Sequence, residues 1–142
     1  MPTARFRIEV PRGSLVKWGA DGGIDFLSPI PCPFNYGSLP AFTGADGDPL
    51  DVVVLGERLP RGATGALPIR GRVRFIDAGQ PDDKWICAAA PLRRRDRLLL
   101  QAFFRAYAVP KAISSRIRRG HPSRFVCLEE NPSKFLRTDR YP

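Results

Sequence analysis

The segment Asp46-Gly47-Asp48-Pro49-Leu50-Asp51 places three carboxylates within six residues. Carboxylates this close repel one another and raise each other's proton affinity unless cations share them. Oxygen donors at such density suit a hard divalent cation such as Mg²⁺. A second acidic group, Asp77, Asp82 and Asp83, runs directly into Lys84. Two plainer readings use the same letters. A solvated Asp-Gly hairpin turn is common. A calcium EF-hand loop wants an acid at its twelfth position, where Glu57 falls counting from Asp46. That loop fails here, because Leu50 occupies a ligand position and Asp51 replaces the required Gly.

These acids need elements to hold them. Leu50 to Leu55 (LDVVVL) is a short β-branched run that predicts a buried strand, with Asp51 facing opposite Leu50 and Val52. Arg5 to Val10 alternates, with Phe6, Ile8 and Val10 on one face and Glu9 on the other. Ile69 to Ile76, with Val73 and Phe75 inward, leads a third strand up to Asp77. Lys84 to Ala89 and Arg124 to Leu128 read as two more. Carboxylates at the ends of two adjacent strands would converge on one metal cluster. One principal helix is expected from about Asp96 to Ala108, with Leu99, Leu100, Phe103, Phe104 and Tyr107 at three- and four-residue steps and Pro110 stopping it. The expected fold class is β-dominated α+β, a small five-stranded barrel with one principal packed helix.

The 142 residues carry 23 Lys plus Arg against 14 Asp plus Glu, a net +9, and are 43% hydrophobic. That is one domain's worth of chain, read as a single domain over 1–142, and too apolar for wholesale disorder. Residues 1–71 hold seven basic and seven acidic side chains, and residues 72–142 hold sixteen and seven. All of the surplus charge sits in the second half, which favours an anionic partner, although a solvated basic face would look the same. Fifteen Pro and thirteen Gly predict short elements and many turns. No run of eighteen apolar residues exists, so no membrane span is expected, and the first ten residues lack the apolar core of a signal peptide. Cys32, Cys87 and Cys127 are odd in number and widely spaced. They fit a reducing cytoplasm better than a disulfide framework or a zinc site. His121, between Gly120 and Pro122, reads as a loop residue rather than a ligand.

Read in order, further pieces accompany the acids. They are Glu9-Val10-Pro11, Gly13-Ser14 and Lys17, then Pro33-Phe34-Asn35-Tyr36-Gly37, then Asp46 to Asp51. Asp77-Ala78-Gly79, Asp82, Lys84, Phe103-Phe104 and Tyr107 complete the series. Over roughly residues 5 to 108 the chain resembles the family I soluble inorganic pyrophosphatases. The resemblance implies an OB-like barrel and Mg²⁺-dependent hydrolysis of pyrophosphate to two phosphates. By the same resemblance, Asp46, Asp51 and Asp82 hold the tightly bound metal, and Asp77 and Glu9 serve metals that arrive with substrate. Asp48 accepts the proton of the attacking water, and Lys17, Tyr36, Lys84 and Tyr107 contact phosphate. A homo-oligomer, a hexamer in most bacterial members, is implied as well.

Several family positions differ in this chain. Trp18-Gly19 stands where the family has Tyr-Glu, and Ile24-Asp25-Phe26 where it has Leu-Asp-Arg. Cys32 replaces an aromatic residue, and Tyr107-Ala108 replaces Tyr-Lys. A phosphate-binding Arg and Lys are thereby missing, and Lys111, Arg105 or the run Arg93-Arg94-Arg95 are the replacements at hand. Lys111 is favoured, with the helix broken before it at Pro110. Two other activities fit the same letters. One is a non-catalytic OB-like module binding nucleic acid or another polyanion, stacking bases on Trp18, Phe34 and Trp85. The other is a hydrolase of a different phosphoanhydride or a phosphate ester.

Overall fold

The computed structural model describes residues 2–14, 16–18, 24–27, 31–43, 47–77, 79–119 and 124–130, the side chains of 16–18, 24–27 and 108–119 excepted. In chain order the elements are β1 (Thr3–Val10), β2 (Val16–Trp18), β3 (Ile24–Leu27), β4 (Asn35–Thr43), β5 (Pro49–Val54), β6 (Thr64–Asp77), β7 (Gln80–Pro81), β8 (Lys84–Cys87), α1 (Arg94–Arg119) and β9 (Arg124–Glu129). Strands β1, β4, β5, β8 and β6 pair in that order, and β6 returns to β1, which closes a five-stranded barrel. Closure leaves no free edge among those five. Strand β9 pairs β6 outside the ring, and β2 and β3 form a separate hairpin. The barrel-plus-helix fold is the expected one.

One barrel strand was not legible. Strand β4, NYGSLPAFT, carries Asn, Gly, Ser and Pro, which are all poor strand residues. It is a strand because β1 and β5 flank it on both sides. At Gly37 a Cβ would overlap the Arg7 carbonyl oxygen, so the close β1–β4 approach requires glycine there. Strand β9, counted among the expected five, lies outside the barrel.

The sheet has apolar residues on both faces. Phe6, Ile8, Leu50, Val52, Val54 and Trp85 fill the barrel. Tyr36, Val53, Val73, Phe75 and Ile86 form an outer layer covered by Leu100, Phe103 and Phe104 of α1. A register shift between Ile8 and Val10 moves Val10 from the inner set to the outer one, opposite Tyr36. Each aromatic or leucine buried beneath the helix contributes about 1.5–3 kcal/mol before entropy is counted. The stripe on α1 is narrower than its periodicity implied. Leu99 is 43% exposed, because Leu100, Phe103, Phe104 and Tyr107 already span the face that meets the sheet.

The helix also outlasts its expected end. Pro110 sits inside α1, which continues to Arg119. Proline removes one N–H and crowds the preceding turn, but extending a helix that is already nucleated costs far less than starting one. All three cysteines are free thiols, and burial pushes Cys32 up to about 11 and Cys87 up to about 12. Among the described residues no helix is long and apolar enough to cross a membrane.

Candidate active site

Strands β5 and β8 run parallel and in register, with Asp51 beside Lys84. On both strands the adjacent residues, Val52 and Trp85, face into the barrel, so Asp51 and Lys84 face out toward α1. The Lys84 Nζ lies 2.7 Å from Asp51 Oδ2 and 2.7 Å from Asp82 Oδ2. Two carboxylates from separate stretches of chain are thus drawn to one point. Asp82 is positioned by its own N–H, which donates to the Phe75 carbonyl at 2.9 Å.

Rings wall this cluster in. The Lys84 Nζ is 5.9 Å from the centroid of Tyr36 and 5.6 Å from that of Phe75. Tyr107 packs on Phe75 at 5.8 Å and on Phe103 at 5.8 Å, so the helix delivers its phenol to the same place. The low dielectric sharpens each charge. Burial alone would lower the Lys84 ammonium's pKa, but Asp51 and Asp82 carry it above its ordinary value. Burial, followed by the Asp51 charge, raises the Tyr36 phenol. Burial also raises Tyr107; Lys84 opposes that shift while Asp51, Asp82 and Asp77 add to it. Asp82 is raised by burial too, against the pull of Lys84. Both phenols therefore stay protonated donors at neutral pH.

Of the residues expected from sequence, Asp51, Asp82, Lys84, Tyr36 and Tyr107 come together, with Asp77 at the end of β6 near enough for its charge to act on Tyr107. Asp48 is exposed in the bend entering β5, and Glu9 is half-buried at the β1 register shift. Asp46 and the Lys17 side chain lie outside the described residues, although Lys17 belongs to β2. Among the described residues no three carboxylate, histidine or cysteine side chains converge as a metal cage. Asp51 and Asp82 do fit a hard cation in kind: both are carboxylates, and they share one positive point. Asp83, from the same acidic stretch, turns away. Its Oδ1 accepts from the Phe75 N–H at 3.1 Å. Phe75 was missed as a site residue, and nothing in its type or spacing marks it as the ring beneath Lys84.

The replacement cations separate cleanly. Arg95 precedes Tyr107 by twelve residues, which is about 18 Å along a helix, so the Arg93–Arg95 run is not at this cluster. Arg105 lies over the Phe125 ring at 5.5 Å, on the β9 side. Lys111 stands one turn beyond Tyr107 on an unbroken helical backbone, with its side chain outside the described residues. The base-stacking alternative loses two of its three rings, since Phe34 and Trp85 are 1% and 3% exposed.

The inorganic pyrophosphatase family model matches residues 6–119. The chain belongs to the inorganic pyrophosphatase family. Soluble inorganic pyrophosphatase 2 of Chlamydomonas reinhardtii is 41% identical over 92 residues, covering 58% of this chain and 47% of that protein. The inorganic pyrophosphatase of Saccharolobus solfataricus is 37% identical over 98 residues, covering 63% and 55%. The chain spans about half the length of the curated relatives it matches. The inorganic pyrophosphatase of Neisseria gonorrhoeae superposes with a TM-score of 0.74 at 21% identity, over 98% of this chain and 88% of that one. That of Thermus thermophilus gives 0.71 at 23%, over 94% and 86%. The pyrophosphatase fold and the resemblance drawn from the motifs therefore stand together.

Proposed function

We propose that the chain hydrolyses inorganic pyrophosphate to two phosphates with Mg²⁺. The observation that carries this reading is the meeting of Asp51, Asp82 and Lys84 beneath Tyr36 and Tyr107 in a chain of this family. Asp46, Asp51 and Asp82 are the residues that would hold the principal cation, and Asp77 and Glu9 those that would serve cations arriving with substrate. Bound divalent cations supply charge neutralisation for the polyanionic substrate and acidify the attacking water.

The protein's own groups do the rest. Asp48, exposed at the entrance to β5, takes the proton of the water that attacks phosphorus as the bridging P–O bond breaks. Tyr36 and Tyr107, held protonated, donate to phosphate oxygens, and Lys17 adds a positive charge. Lys84 holds two carboxylates in place and offsets part of their repulsion, in addition to contacting phosphate. A homo-oligomer, a hexamer by family resemblance, and a cytoplasmic location belong to the same reading, and light scattering giving a monomer mass at high concentration would end the first.

The deciding experiment is phosphate release from pyrophosphate with Mg²⁺, before and after EDTA. Turnover abolished by chelation and restored by Mg²⁺ supports the proposal; no turnover under any divalent cation refutes it.

A further inference from the structure

The arginine run at the start of α1, too far from the carboxylates to serve them, faces a cleft of its own. It encloses about 610 Å³, within the range of small-molecule sites. Its place in the fold separates it from the active site. Asp51 and Lys84 sit at the beginnings of β5 and β8, whereas the cleft is walled by Leu55 and Gly56 after β5 and by Ala88 to Pro91 after β8. The two sites therefore occupy opposite ends of the layer under the helix.

The walls are firmly built. Arg70 donates from Nε to the Ala88 carbonyl at 3.1 Å and from Nη2 to the Ala89 carbonyl at 2.7 Å, pinning one side. The buried Asn35 side chain ties the other, accepting from the Arg12 and Leu59 N–H groups and donating to the Glu57 carbonyl. The Asp96 carboxylate is engaged with the Arg93 N–H at 2.8 Å. Arg12, Arg93 and Arg95 line the cleft, and among the described residues no carboxylate forms an ion pair with any of them. Arg12 uses one N–H on the Gly56 carbonyl at 3.2 Å. Beside this charge lies an apolar surface that includes Leu99, 43% exposed.

We propose that this cleft binds an organic phosphate of nucleotide size, at a site independent of the carboxylate cluster. Guanidinium forks match phosphate oxygens, and the apolar wall gives a planar or hydrocarbon body a place to leave water. A bare phosphate would use the arginines and waste the wall. An uncharged body would use the wall and leave the arginines unmet.

The test is calorimetric titration with AMP, with inorganic phosphate and adenosine as the two halves, in EDTA so that the carboxylate cluster holds no metal. AMP is expected to bind saturably and at least tenfold more tightly than either half. The Arg93→Ala/Arg95→Ala variant, changed only at exposed positions, should lose at least tenfold in AMP affinity while its pyrophosphate turnover stays within twofold. Leu99→Glu, which sets a carboxylate in the apolar wall, should weaken AMP similarly. Asp51→Asn should bind AMP as the parent does, so failure of the hydrolase reading leaves this result standing. The proposal is overturned if AMP does not saturate at millimolar concentration, if the arginine variant binds it unchanged, if Asp51→Asn abolishes binding, or if phosphate alone binds equally well. It is also overturned if the arginine variant dissociates an oligomer, which would assign the cleft to a second copy of the chain.

Discussion

The short stretch Asp82-Asp83-Lys84 feeds two ionic clusters on opposite faces of the sheet. On the helix side, one ammonium meets two carboxylates, Asp51 and Asp82, and Asp77 lies nearby. On the other side, Asp83 lies 3.7 Å from Arg72 Nη1, whose Nη2 is 2.9 Å from Glu129, which Arg74 approaches at 3.7 Å. Among the described residues the second cluster ties Arg72 and Arg74 of β6 to Glu129 of β9 and to Asp83, just before β8. In the first, among the described residues, Lys84 is buried while the Asp51 and Asp82 side chains above it are 17% and 28% exposed. A network closed within the sheet holds the fold, whereas carboxylates that reach solvent present oxygens a cation can approach.

Substitutions should divide along that line. Asp51→Asn should essentially abolish hydrolysis, beyond the ~10–100-fold typical of losing an outer-shell partner of a metal ligand, while far-ultraviolet circular dichroism stays unchanged. Near-parental turnover would remove Asp51 from the active site and erase the contrast.

Lys84→Met should act on stability as well. It leaves two half-buried carboxylates facing each other without their shared ammonium, at a cost of up to about 3 kcal/mol by denaturant titration. The pH dependence has a definite sign. The folded pKa of Lys84 lies above its ordinary 10.5, so the stability it contributes is complete below that value and fades as pH climbs past it. The gap between parent and variant should hold steady through neutral pH and begin to close only in alkali.

Asp83→Ala probes the second cluster. Its loss strands the Phe75 N–H and takes one carboxylate from Arg72, for about 1.5–3 kcal/mol in urea unfolding, with kcat/KM at 25 °C within twofold of the parent. A large kinetic defect there would show that the two clusters are one system. In free energy the smallest effect should be that of Lys111→Ala, about tenfold in kcat/KM, or about 1.4 kcal/mol, if Lys111 replaces the family's missing phosphate cation. A change under twofold would mean the active site works with Lys17 and Lys84 alone.

Much of this was written locally. Strands β1, β5, β6 and β8 follow from alternation and β-branched runs, and the acids at their ends follow from residue type and spacing. Asp51 faces away from Leu50 and Val52 in the structure as period-two geometry demands. Other features depend on partners distant in sequence. Strand β4 has no pattern of its own and is extended because two neighbours use its backbone. Pro110 reads as a stop, yet α1 passes through it. Asp82 and Asp83 are adjacent acids with the same side chain. One meets Lys84 on the helix side and the other meets Arg72 on the opposite side, because the extended chain entering β8 turns successive side chains to different faces. The same holds for the arginine run. Its charge is visible in the sequence, but its distance from Tyr107 is set by three turns of helix lying along the barrel. Local sequence determines which side chains are charged and how a segment prefers to lie; which of them meet is decided by strand pairing and by the side of the sheet the helix covers, since those bring together residues that share no neighbours in the chain.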